Sequence, residues 1–213
     1  MITVIGSLKG GSGKSTVTFN LAIWLQLAGE NVRVFDLDPQ ATLTDAAEVR
    51  SEEGYQPAIP VFPIERVDDL NAESGETLVD VGAADMDSMM DAIAMADRVL
   101  VPVPPSQADI WSTQRFLGMI SKRVNGSPGP DVLAFINRGD THSAIRESDE
   151  AAAALISLNK VHFVRNRLGQ RTAYRRSFSE GLAVFELDPR GKAAREFTAL
   201  AAALYPHLLR TQH

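Results

Sequence analysis

Apolar and polar positions alternate between two rhythms along the chain. Short, β-branched, almost wholly apolar runs occur at Ile2–Ile5, Val32–Phe35, Ile59–Phe62, Thr77–Val81, Arg98–Val103, Val132–Ile136 and Val161–Val164. Runs of this length with little polar alternation predict strands buried on both faces. Between most of them the apolar spacing lengthens to three and four. Val17, Leu21, Trp24, Leu25 and Ala28 share one helical face, with Gly29 placed to cap the end. Ile110, Thr113, Phe116, Leu117 and Ile120 do the same between about Ala108 and Arg123, and Asn125–Pro130 reads as a loop. Strand and helix in repeated alternation predict an α/β fold, a doubly wound, mostly parallel sheet flanked by helices. No repeat or low-complexity linker divides the 213 residues, so 1–213 is expected to be a single domain.

Composition then removes whole classes of chemistry. Apolar residues make up 45% and charged residues 23%, a globular balance and not a disordered one. The chain has no cysteine, which excludes disulfides, thiolate metal sites, iron–sulfur clusters and cysteine nucleophiles. Four scattered histidines make a poor zinc site. The N-terminal residues have no signal-peptide pattern, and no apolar run reaches the roughly 20 residues of a membrane span, so a cytoplasmic protein is expected.

The net charge of −6 argues at first against nucleic acid, but the charge is unevenly spread. Residues 30–109 hold 18 acids and four arginines, whereas residues 151–179 hold six basic residues and no acid.

The first strand runs into Gly6-Ser7-Leu8-Lys9-Gly10-Gly11-Ser12-Gly13-Lys14-Ser15-Thr16, and a helix follows. Strand, glycine-rich turn and helix start are the context of a phosphate-binding loop. Glycines let successive N–H groups turn toward an anion, and the helix N-terminus adds its positive dipole end. Gly10, Gly11, Ser12, Gly13, Lys14, Ser15 and Thr16 are therefore the candidate nucleotide-binding residues. Lys14 would reach the β- and γ-phosphates, and the Ser15 hydroxyl would ligate Mg²⁺. The strict pattern G-x-x-x-x-G-K-[ST] requires glycine where this chain has Leu8. Lys9-Gly-Gly-x-Gly-Lys14-Ser-Thr fits a narrower pattern instead.

That loop resembles the deviant Walker A motif of the ParA/MinD family of ATPases. The resemblance makes Lys9 the signature lysine, which crosses the interface of an ATP-sandwich homodimer to the partner's phosphates. A second cation over the triphosphate neutralises charge developing during phosphoryl transfer. Val34-Phe-Asp36-Leu-Asp38-Pro-Gln40 resembles the family's D-x-D-P-Q segment, which implies that Asp38 orients the attacking water and that Asp36 lies near the metal shell. Leu78-Val-Asp80-Val-Gly82 resembles Walker B and delivers Asp80 toward a Mg²⁺-bound water. By the same likeness Lys9, Lys14 and Asp38 are catalytic, and Ser15, Asp38 and Asp80 form the metal set, the carboxylates acting through water. Asp97–Ser106 resembles the strand and proline turn beside the dimer interface. Ile136-Asn137-Arg138 resembles the pair that reads adenine, which nominates Asn137 for the base.

The basic segment carries Lys160, Arg165, Arg167, Arg171, Arg175 and Arg176. A solvated face would account for such a cluster in most proteins. Here the self-repulsion of unrelieved charge and the fit of arginine forks to phosphate favour a polyanion. The segment Arg171–Gly181 also resembles the C-terminal region of the short plasmid-partition (ParF-like) ParA proteins, where nearby basic residues bind DNA non-specifically. Arg165, Arg167, Arg171, Arg175 and Arg176 are the implied DNA contacts, and Arg171 and Arg175 share a face if Arg171–Phe178 is helical.

The resemblance as a whole implies a cytoplasmic, nucleoid-associated ATPase without an N-terminal helix-turn-helix domain. A ParB-like or cargo adaptor protein would stimulate it, and the cargo would be a plasmid, a chromosome region or a carboxysome. Trp111, just after the proline turn, is expected in an interface or the core.

A membrane-surface ATPase of the MinD type is the alternative. It would need a terminal amphipathic helix, and Phe197, Leu200, Leu204 and Leu208 form a stripe within about Pro189–Leu209. Docking onto the sheet explains that stripe equally well. Small-molecule ligases of the same superfamily need acceptor loops for which this length leaves little room.

Overall fold

The computed structural model of the chain describes residues 1–63, 70, 75–125, 128–141 and 146–208. The elements run β1 (Ile2–Ile5), α1 (Lys14–Leu27), β2 (Val32–Asp36), α2 (Thr42–Glu52), β3 (Val61–Pro63), β4 (Glu76–Asp80) and α3 (Met86–Met95). Then follow β5 (Arg98–Val103), α4 (Gln107–Val124), β6 (Asp131–Ile136), α5 (Glu147–Ile156), β7 (His162–Val164), α6 (Thr172–Ser179), α7 (Val184–Leu187) and α8 (Lys192–Leu204). The seven strands form one sheet in the order β3-β2-β4-β1-β5-β6-β7, and every described pairing is parallel. Each of the seven apolar runs is one of these strands, with ends moved by at most two residues.

Successive strand residues feed opposite cores. Val99, Val101 and Val103 join Met89, Ile93, Phe116 and Leu155 from α3, α4 and α5. Leu78 and Leu100 point the other way, into a core with Leu21 and Leu25 of α1, Leu43 of α2 and Phe197 of α8. Covering both faces is why the strand runs lack polar alternation.

The helix ends follow local chemistry. Gly29, at φ 90°, closes α1 in a Schellman motif: its N–H donates to the Gln26 carbonyl and that of Glu30 to Leu25. Ser106 caps α4 by accepting the Asp109 N–H, and Asn125 ends it in the left-handed region at φ 41°. Gly126 and Ser127 of the expected loop lie outside the described residues. The helix expected over about Pro189–Leu209 is shorter, because Pro206 disfavours helical backbone at Tyr205 and α8 stops at Leu204. Leu209 also lies outside the described residues. Phe197, Leu200 and Leu204 are buried against the sheet and Leu208 packs beside them, so the stripe of α8 is a core face. No helix among the described residues is long and apolar enough to cross a membrane.

Candidate nucleotide-binding site

Parallel strands bring their C-terminal ends to one edge, and the loops after β1, β2, β4 and β6 meet there. Ile5 pairs with Asp80, and Asp36 with Asp80, so the start of the glycine loop and two carboxylates stand level across three strands. The loop then curls back on itself. Gly11 and Gly13 adopt φ 74° and 92°, and the Ser7 and Ser12 hydroxyls meet at 2.7 Å. Asn137, after β6, donates from Nδ2 to the Ser12 carbonyl at 2.6 Å. A Cβ on Gly13 would stand 2.5 Å from that Nδ2, so this contact and the positive φ both require glycine. Arg138 adds a second strut, donating from its guanidinium to the Gly11 carbonyl at 2.5 Å. Lys14 is buried within the loop at the first turn of α1.

The carboxylates divide by what surrounds them. Asp36 is already engaged: Oδ1 accepts the Asp38 N–H, and Oδ2 accepts both the N–H and the hydroxyl of Thr44. It builds the turn into α2 and has no oxygen left over. Asp38 is half-buried, and its Oδ1 accepts the Gln40 N–H. Gly82 lets the loop after β4 press against it, since a Cβ there would lie 2.7 Å from Asp38 Oδ1.

Asp80 is 1% exposed, and neither of its oxygens receives a hydrogen bond of regular geometry from a described residue, the Ser15 hydroxyl beside it being a weak donor at best. Burial pushes its carboxyl up to about 7. The neighbouring Ser15 hydroxyl and Lys14 pull it down, while the Asp36 and Asp38 charges push it further up. Ser15 Oγ also accepts a hydrogen bond from Thr42 at 3.3 Å. Two bare carboxylate oxygens beside a serine hydroxyl and under a phosphate loop are hard donors, and they fit a magnesium ion.

Two clefts flank the loop. One, of about 550 Å³, is lined by Gly10, Lys14, Ser15, Asp38, Gln40 and Thr42. The other, about 260 Å³, is bounded by Gly13, Asn137, Arg138, Arg171, Tyr174 and Arg175. Asn137 thus sits where the loop and the second cleft meet. Arg171 and Arg175 both line this cleft although Arg171, in extended backbone, precedes the helix.

The basic segment resolves into paired and unpaired residues. Arg171 forms a bidentate pair with Glu196, whose Oε2 also accepts the Gly169 N–H. Burial alone would raise the Glu196 carboxyl, but these hydrogen bonds outweigh it and hold it below its ordinary range. Arg167 pairs with Asp149 at 2.9 Å and Arg176 with Glu180 at 2.8 Å. Arg165 and Arg175 are exposed and have no described ion pair.

Some participants escape a reading of the sequence. Thr42 carries no motif. Arg138 was visible only as the neighbour of Asn137. Asp109, buried at the start of α4, lies 2.8 Å from the Lys9 ammonium. Trp111, two residues further on, is 55% exposed and belongs to neither core.

Several known proteins share this organisation. The "Maintenance of carboxysome distribution protein A" of Halothiobacillus neapolitanus is 26% identical over 199 residues, 90% of each chain. Apo McdA of Cyanothece superimposes with a TM-score of 0.77 at 19% identity, covering 95% of this chain and 98% of that one. A plasmid partition protein of Borrelia burgdorferi B31 bound to AMPPNP gives 0.73 at 17%, covering 97% and 98%. At those identities the two structures establish a shared fold. The family described as the CobQ/CobB/MinD/ParA nucleotide binding domain matches residues 3–186, from β1 through α7. The chain belongs to that family, and its seven-stranded parallel sheet is the ParA/MinD form of the P-loop fold.

Proposed function

We propose that this chain is a positioning ATPase: two copies enclose ATP between them, the pair binds DNA without sequence preference, and hydrolysis releases it. The cargo would be a plasmid, a chromosome region or a protein body such as a carboxysome, and an adaptor bound to that cargo would stimulate hydrolysis. The observation that carries this reading is the division between the two loop lysines. Lys14 is buried inside its own loop, whereas the Lys9 side chain is 51% exposed at the rim. One cation serves the nucleotide beneath it, and the other stands at the rim, within reach of a nucleotide held by a second copy. Relatives concerned with carboxysome distribution and plasmid partition support the same reading.

In this scheme the backbone N–H groups of residues 10–16 and Lys14 bind the triphosphate and fix its orientation. Asp38 accepts a hydrogen bond from the attacking water and holds it in line. Lys9 from the opposing copy offsets negative charge on the transferred group. Ser15, with Asp80 and Asp38 through water, would hold Mg²⁺, which supplies further charge neutralisation at the phosphates. Asn137 lines the cleft that receives the base. Arg165 and Arg175 lead the DNA contacts, with Arg167, Arg171 and Arg176 joining once their carboxylate partners are exchanged for phosphate.

The test is the mass of the chain in solution with ADP and with AMPPNP, both with Mg²⁺. Dimers are expected only with AMPPNP. Lys14→Ala should abolish nucleotide binding, Lys9→Ala should keep binding and lose the dimer, and Asp38→Ala should trap the dimer. DNA binding should require ATP. With six phosphate contacts, log affinity should fall against log salt with a slope of about −5. A chain that stays monomeric at saturating ATP and Mg²⁺, or that holds DNA equally well without nucleotide, overturns the proposal.

A further inference from the structure

We infer that Asp109 is the resting partner of Lys9, a positioning residue that parks the mobile loop cation on its own subunit until a nucleotide draws it away. The ammonium of Lys9 lies 2.8 Å from Asp109 Oδ1, with side-chain exposures of 51% and 5%. That asymmetry sets the direction of the effect. An exposed lysine returns to water at little cost, but a buried carboxylate left alone has nowhere to place its charge.

The rest of Asp109 is fixed in place. Oδ2 accepts the Ser106 hydroxyl, the Asp109 N–H donates back to Ser106 Oγ at 3.2 Å, and the Thr113 hydroxyl donates to the Asp109 carbonyl at 2.9 Å. Oδ1, by contrast, receives no hydrogen bond of regular geometry from any described residue, so the Lys9 ammonium is its one described partner. The surrounding free volume is about 10 Å³, between Ser7, Ser12, Pro104 and Phe116, which is at the lower limit for even one water. Little room therefore remains for a water beside the ammonium while Lys9 is in place. Lys9 has two places to be, and leaving the first strands a buried charge.

The consequence rests on the ATP-dimer reading above. Each copy must give up a Lys9–Asp109 pair before its lysine can cross, so Asp109 raises the ATP concentration at which copies join. It also keeps Lys9 from other anions while the chain is empty.

The test separates the two ideas. Brief acetylation of the nucleotide-free chain, read by peptide mass spectrometry, compares Lys9 with exposed Lys122 in the same sample. In the wild type Lys9 should react about fivefold more slowly than Lys122, and Asp109→Asn should remove the difference. Ser106→Ala, which frees Oδ2 and keeps the charge, should give an intermediate rate. In AMPPNP titrations followed by light scattering, Asp109→Asn should dimerise at about fivefold lower nucleotide.

Lys9 reacting as fast as Lys122 in the wild type overturns the inference without needing any variant. So does an AMPPNP midpoint that Asp109→Asn leaves unmoved in a chain that does dimerise. Protection of Lys9 that Asp109→Asn relieves, in a chain that never dimerises, upholds the Lys9–Asp109 pairing and refutes the dimer.

Discussion

Strand β4 begins and ends with a buried carboxylate, Glu76 at 5% exposure and Asp80 at 1%. Four positions separate two opposite solutions to one electrostatic problem. At the N-terminal edge Glu76 Oε1 accepts the Thr3 hydroxyl and the Tyr205 hydroxyl, both at 2.6 Å, and Arg98 lies 3.4 Å away. Arg98 also reaches Thr3 Oγ1 and the Leu204 carbonyl, so this network ties β1, β4 and β5 to the end of α8. At the C-terminal edge neither Asp80 oxygen receives a hydrogen bond of regular geometry from a described residue, and only the nearby Ser15 hydroxyl and Lys14 offset its charge. A satisfied buried charge is structural cement, whereas a bare one is destabilising and marks a place kept for a ligand. The same sheet therefore has a closed edge that holds the fold together and an open edge whose carboxylate would hold the cation of the proposed mechanism.

The comparison breaks most visibly if its closed edge is opened. Arg98→Ala strips the cation from Glu76 and frees the Leu204 carbonyl, and should lower unfolding stability by about 3–5 kcal/mol. Urea denaturation at pH 7 measures this, and a loss below about 1 kcal/mol would mean that the network is not the anchor described.

Asp80→Asn should act in the opposite sense. The folded carboxyl titrates near 7 against 3.8 for the ordinary group, so between those values the folded chain binds a proton that the unfolded chain has lost. Stability therefore falls as pH rises from about 4 to 7, and the cost is complete above that window. Roughly three units sets a ceiling of about 4 kcal/mol, and a gain on the order of 2 kcal/mol is expected for the nucleotide-free variant at pH 8. The variant should also lose the pH slope and, on the proposed role of Asp80, any Mg²⁺ dependence of nucleotide binding. A destabilised Asn variant would show that Asp80 has an unseen partner.

Tyr205→Phe sharpens the contrast with the smallest change. Removing one hydroxyl from a carboxylate that keeps two other donors should lower stability by about 1.5 kcal/mol, with nucleotide affinity unchanged in calorimetry.

Much of this organisation was legible before any coordinates. The seven apolar runs located every described strand, because a doubly covered parallel sheet cannot conceal its composition. The glycine loop was equally plain, since backbone turned toward an anion admits few residue types at Gly11 and Gly13. Residue spacing says much less about partners. Asp36 and Asp80 read alike as strand-end carboxylates, yet Thr44 and the turn into α2 occupy the first, and no described residue makes a regular hydrogen bond to the second. The arginines from 165 to 176 read as one cluster, yet Asp149, Glu180 and Glu196 divide it into paired and unpaired members.

The chain by itself determined the order of strands and helices, the phosphate loop and the supply of carboxylates and cations, because periodicity and glycine placement are local properties of backbone and solvent. Only tertiary structure decided which charges are matched. Asp109 is 100 positions from Lys9, and Tyr205 is 129 from Glu76, yet both pairs are in contact. Pairing over such separations depends on how strands are ordered in the sheet and which face each helix covers, and no local pattern encodes that.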